Sequence, residues 1–210
     1  RIMKNLIPLY KKEVRSYFVS PVAYVVITVF IILGGYFFYQ ISGYYTFLSQ
    51  QWQSQPYFEL NPIEGIFRPL LHNLSVVMLL VLPLLTMRLF AEEKKTGTIE
   101  LLFTYPLKDE EIILAKFMAA LTVFKAMVIL TVIQPILLAF YIKIAWLPVI
   151  SGYLGLILLG SAFLALGIFV SCMTENQIIA AIVSFGALLL FWIIGWAAHS
   201  TGGQLGEVLT

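Results

Sequence analysis

Five runs of about twenty predominantly apolar residues, at 21–39, 70–87, 112–141, 151–173 and 178–198, constrain this chain more than any other feature. A helix rising 1.5 Å per residue needs that length to cross a hydrocarbon layer of ~30 Å. Lipid offers no partner to a free amide or carbonyl, and the runs lack the alternation of barrel strands, so each reads as a helix. Hydrophobic residues make up 60% of the chain and charged ones 11%, against roughly 45–50% and 25% in soluble domains. The expected fold class is an all-α polytopic membrane protein, with a transmembrane domain over 21–198. A net charge of +2 gives no case for nucleic acid as a partner. The single cysteine, Cys172, excludes an internal disulfide and a thiolate metal cluster.

Lysine and arginine placement sets the orientation. Arg1, Lys4, Lys11, Lys12 and Arg15 precede the first run, and Arg88, Lys94, Lys95, Lys108 and Lys116 lie between or at the ends of the second and third. The positive-inside rule puts the N-terminus and the 88–111 segment in the cytoplasm and the 41–67 and 142–150 loops outside. The third run is the longest and carries Lys125, which snorkels to an interface or, with Gln134, lines a translocation path. Pro135 beside Gln134 predicts a kink. Five alternating spans leave residues 199–210 outside, as a loop or the start of a re-entrant element, and a sixth span is expected to follow.

Residues 1–20 read as an amphipathic helix along the cytoplasmic leaflet. Leu6, Tyr10, Val14 and Phe18 recur on one face, Lys4, Lys11 and Arg15 share another, and Pro8 is expected in the first turn. Such a helix either anchors orientation or acts as a lever on a partner. The outer loop holds Tyr44, Tyr45, Phe47, Trp52, Tyr57, Phe58 and Phe67, which suit the headgroup belt or a docking surface for an extracytoplasmic subunit.

The segment between the second and third runs is where function is expected. Thr98 is placed to cap a short helix over 98–105, with Glu100 in its first turn and Pro106 ending it. Two turns of helix seldom persist alone in water, and Ile99, Leu101, Leu102, Phe103 and Tyr105 need a surface to pack on. Asp109, Glu110 and Glu111 then restart a helix that enters the third run.

The sequence RLFAEEKKTGTIELLFTYPLKDEEIILAKF, residues 88–117, resembles the signature region of type-2 ABC transporter permeases. Arg88, Phe90, Glu92 and Glu93, the Thr96-Gly97-Thr98 triplet, Glu100 to Leu102 and Pro106 carry the likeness. KKEVRSYFVSPVAYVVITVFIILGGYFF, residues 11–38, resembles the branch that includes the gliding-motility and nitrous-oxide-reductase accessory permeases. The resemblance implies six helices per permease, two permeases per transporter, and a connecting helix carrying Lys11, Lys12 and Arg15. It also implies a coupling helix at 98–105 seated on a separate ABC ATPase, in a bacterial plasma membrane.

No GxxxxGK[ST] phosphate loop occurs, so ATP and Mg are expected on the partner ATPase and no cofactor or metal in this chain. The sequence also lacks HExxH, and its histidines are His72 and His199. Catalytic residues are therefore not expected. The reading is the permease subunit of an ATP-driven exporter. The alternative is a mechanical or scaffolding subunit of a gliding or secretion machine, whose dimer interface would be sealed by residues such as Phe30, Phe37 and Phe140.

Overall fold

The computed structural model describes residues 3–52, 61–98 and 108–208. Helix α1 (Met3–Val19) meets α2 (Pro21–Trp52) at an elbow on Ser20. A π-helical turn (Ile63–Phe67) runs into α3 (Arg68–Thr86), and a short α4 (Ala91–Lys95) follows. Then come α5 (Asp109–Thr131), α6 (Ile133–Ala139), α7 (Trp146–Met173) and α8 (Gln177–Val208). Five of these helical stretches are long and apolar enough to cross a membrane, and no strand occurs among the described residues. The chain is an all-α polytopic membrane protein.

Several helices run further than hydropathy suggests. α2 continues past residue 39 to Trp52, so Tyr44, Tyr45 and Phe47 ride on a helix and not in a loop. Trp52 is the last residue of that helix, Phe67 ends the π-helical turn with its ring buried in the core and so does not serve the headgroup belt, and Tyr57 and Phe58 lie outside the described residues. α8 is unbroken through Val208, so residues 199–208 continue as helix, where a loop or the start of a re-entrant element was expected. α1 already begins at Met3, which puts Pro8 beyond its first turn.

α3 and α5 are the most enclosed of the spans. Leu70, Leu74, Met78, Leu82 and Leu85 form a buried stripe along α3 at the three- and four-residue spacing of one helix face. α3 packs on α2, α7 and α8, while α5 packs on α1, α2 and α7. Phe30 is fully buried in this core, so it is not available to seal an interface, whereas Phe140 is exposed.

Small residues let α7 approach closely. A Cβ at Gly160 would lie 2.2 Å from Phe124 Cζ and 2.8 Å from Met78 Cε, and one at Gly167 would lie 2.2 Å from Thr86 Oγ1. Ala180 and Ser184 of α8 are likewise buried.

The third span is interrupted at Val132, ahead of Pro135. Proline has no N–H to return to the Thr131 carbonyl, which would otherwise go unmet in an apolar interior. The Tyr153 hydroxyl donates to that carbonyl from α7 at 3.1 Å.

The Gly160 contact gives a direct test. Phe124 is fully buried and has no room to retreat, so Gly160→Ala should cost about 1–3 kcal/mol of stability through overpacking. Gly155→Ala, where the space is open, should hold or raise the midpoint, since alanine is the better helix former. Thermal unfolding of the two variants in one detergent makes the comparison.

Candidate functional site

The charged residues of α1, α4 and the start of α5 converge at one end of the bundle, where the 88–111 segment attaches. Lys116 is the centre of this junction. Its side chain is 1% exposed, and an ammonium ion out of water needs both countercharge and hydrogen-bond acceptors. Nζ donates to the Leu89 carbonyl at 2.8 Å and to Glu93 Oε1 at 2.8 Å, and it reaches Glu13 Oε2 at 3.4 Å. The Phe90 ring lies beneath it, 5.0 Å from Nζ to the centroid. One cation therefore ties α4 and α1 to α5.

That contact changes the reading of α1. Its buried positions include Leu9 and Glu13, while Phe18 is 40% exposed. The packed face thus keeps Leu6, Tyr10 and Val14 of the expected stripe, adds Leu9 and Glu13, and leaves Phe18 outside it. Tyr10 shares a hydroxyl–hydroxyl bond of 2.8 Å with Thr122. α1 is a packed element that follows the N-terminal half of α5. Lys11, Lys12 and Arg15 point outward from it.

A second ion pair fastens the elbow. The Arg88 guanidinium grips Glu92 through Nε at 2.7 Å and Nη2 at 2.8 Å, and its Nη1 donates to Ser20 Oγ at 2.6 Å. Two-pronged pairing of this kind fixes both side chains. The neighbouring Tyr17 hydroxyl donates to the Leu85 carbonyl at 3.1 Å. Burial drives its pKa well above the usual phenol range, Glu13 adds to the rise and Arg88 opposes it, so it remains a neutral donor. Glu13, Tyr17, Arg88, Glu92, Glu93 and Lys116 face a shared cavity of about 260 Å³.

α7 closes the junction from the other side. Ser171 is fully buried. Its Oγ accepts from the backbone N–H groups of Phe90 and Ala91, both at 3.2 Å, and donates to the Met87 carbonyl at 3.2 Å. A hydroxyl from another helix thereby satisfies the free amides at the start of α4, which has no side-chain cap of its own. Lys94 Nζ donates to the Cys172 carbonyl at 2.5 Å, placing a cation at the negative end of α7.

The Thr96-Gly97-Thr98 triplet ends α4. Gly97 has φ +70°, and its N–H bonds to the Lys94 carbonyl at 3.1 Å, the left-handed helix stop that glycine adopts at little cost. Thr96 Oγ1 donates to the Glu92 carbonyl at 2.9 Å and is 2.9 Å from Thr98 Oγ1, which also reaches the Glu93 carbonyl at 3.4 Å. Ile99, Glu100, Leu101, Leu102, Phe103, Tyr105 and Pro106 lie outside the described residues. Beyond them α5 begins at Asp109, where the Glu111 carboxylate accepts from the Lys108 N–H at 3.3 Å.

Of the expected site residues, the structure brings together Arg88, Phe90, Glu92, Glu93, Thr96, Gly97 and Thr98. It adds Glu13, Lys116 and Ser171, which sequence reasoning did not single out. A lone glutamate in a basic helix was the one available signal for Glu13. Gln134 and Lys125 do not share a face. Gln134 is buried near Gly34 of α2, and Lys125 is exposed on α5.

Lys116→Met should cost about 3–5 kcal/mol, because removing one member of a buried pair strands its partners. Ser171→Ala should cost about 1–3 kcal/mol through unmet buried polar groups. Replacing Glu13, Glu93 and Lys116 together by Gln, Gln and Met should recover part of the first loss. A set of unfolding midpoints in detergent that places all these variants level with wild type would rule out the junction as a structural tie.

Comparison with known proteins agrees with this geometry. Residues 7–205 match the family described as ABC-2 family transporter protein. No curated protein and no solved structure matches the chain. The family match spans both the junction and all five candidate membrane helices, so the chain belongs to the ABC-2 transporter family and is a membrane-embedded permease subunit of an ABC transporter.

Proposed function

We propose that this permease couples ATP hydrolysis on a separate ABC ATPase to export across the plasma membrane, with its charged end in the cytoplasm. The observation that carries the proposal is the Lys116 junction, which joins the two elements flanking the 99–107 segment. Force applied to that segment reaches α4 at Thr98 and α5 at Lys108. Because Lys116 bonds Glu93 and the Leu89 carbonyl, the two helices take up the load together. Glu13 passes it to α1, and Ser171 and Lys94 pass it to α7. A segment on a loose hinge would dissipate the same push.

In this mechanism the 98–105 segment seats on the ATPase through Ile99, Leu101, Leu102, Phe103 and Tyr105. ATP and Mg bind on that partner. Closure of two ATPases presses the segments of two permeases, tilts α3 and α5, and changes access along the interface between permeases. Lys125, exposed on α5, is the better placed of the two polar span residues to face that interface. An extracytoplasmic subunit would meet the end of the bundle that carries Tyr44 and Phe47. The bacterial origin suggested by the signature fits this arrangement.

The test is coexpression with candidate ABC ATPases, followed by ATP hydrolysis and transport in proteoliposomes. Glu100→Pro and the Leu101/Leu102→Asp pair should leave membrane insertion intact, lower ATPase capture by at least about tenfold, as loss of a buried apolar contact implies, and abolish coupled turnover. Normal turnover in the paired variant would end the coupling assignment. Stimulated hydrolysis with no solute movement in wild type would favour a force-transmitting subunit instead.

A further inference from the structure

The elbow between α1 and α2 carries a second feature that the coupling reading does not use. An open hollow of about 460 Å³ is lined by Lys12, Arg15, Ser16, Val19, Ser20 and Arg88 among others. Its walls present three cations and no carboxylate. Arg88 is held in place by Glu92 and Ser20. Arg15 is exposed and makes no ion pair among the described residues, and Lys12 is 61% exposed, with its one carboxylate contact at 3.7 Å to Glu13. Cations drawn from α1 and from the turn between α3 and α4 around one concavity suit a phosphodiester, whose oxygens accept several charge-assisted hydrogen bonds at once.

The surroundings select a lipid over a free phosphate. Lys12, Arg15, Ser16 and Val19 share one face of α1, so the charged face gives way within a turn to Val19, which is 75% exposed. Phe18 is also exposed and packs edge-on against Tyr24 of α2, with ring centroids 6.1 Å apart. From there Val25, Val29 and Ile32 continue as exposed apolar positions along α2 at helical spacing. Cations at the start of a span, followed by an uninterrupted apolar strip, match a phospholipid with its phosphate in the hollow and an acyl chain on the strip.

We propose that the α1–α2 elbow is a binding site for an anionic phospholipid of the leaflet at the charged end, with Lys12, Arg15 and Arg88 holding the headgroup phosphate. This site rests on the elbow's geometry and not on the ATPase-coupling reading. Occupancy would brace the elbow from its lipid side, opposite the Lys116 junction.

Native mass spectrometry of protein extracted from nanodiscs of mixed phosphatidylglycerol and phosphatidylcholine tests the proposal. Wild type should retain phosphatidylglycerol preferentially. A Lys12→Gln/Arg15→Gln variant should lose about tenfold or more of that occupancy, while Lys12→Arg/Arg15→Lys should keep it. Both positions are exposed, so thermal unfolding should confirm that the variants remain folded. Equal retention of the two lipids by wild type, or undiminished phosphatidylglycerol in the glutamine variant, would overturn the site. Displacement of the lipid by inorganic phosphate alone would overturn its assignment to a lipid.

Discussion

An ammonium group with 1% exposure dictates the arrangement around it. Lys116 cannot be hydrated where it stands, so every donor must find an acceptor within the protein, and the nearest ones come from α1, α4 and the turn that precedes α4. The packing of α1 along α5 follows from Glu13 reaching that cation. So does the fixed position of α4, which is five residues long and too short to persist as an isolated helix. The junction does not need to add much net stability to have this effect. Its high cost of disruption makes alternative arrangements of the same helices unfavourable.

The rest of the bundle is organised so that α7 reaches this junction. Gly160 admits the Phe124 ring and Gly167 admits Thr86, bringing α7 against α3 and α5 over its C-terminal half. Close approach delivers Ser171 to the start of α4 and the Cys172 carbonyl to Lys94. Small residues therefore act twice, first by increasing dispersion contact where lipid supplies no hydrophobic driving force, then by setting the register of a hydroxyl that completes a helix end. At the other end of the third span, Tyr153 performs a similar service for the carbonyl that Pro135 leaves free.

The proposed coupling requires an input element that does not fold away from its spans under load. Polar tying of α4 to α5, α1 and α7 meets that need, because its bonds lie across helices and not along one. The elbow at Ser20 is tied in the same way through Arg88. Its outer wall is lined by Lys12 and Arg15, so under the proposed lipid site the same elbow would meet the bilayer on one side and the charged junction on the other.

Much of the architecture was legible in the chain. Five apolar runs specify five membrane helices because each must satisfy its own backbone in lipid. The acidic run at Asp109 marks a helix start, since that signal acts within a turn of the chain. Helix ends were less legible: α2 runs to Trp52 and α8 through Val208 because aromatic and polar residues continue a helix past the hydrocarbon edge without any local signal to stop. The pairings were not legible at all. Glu13 and Lys116 are 103 residues apart and Ala91 and Ser171 are 80 apart, and read singly they are a solvated glutamate, a topology-setting lysine and a small polar residue in a span. By itself the sequence determined the helices and the membrane they require, because hydropathy and backbone hydrogen bonding are local. The tertiary structure alone decided which charges are buried and what they hold together, because burial is a property of the neighbours that folding brings.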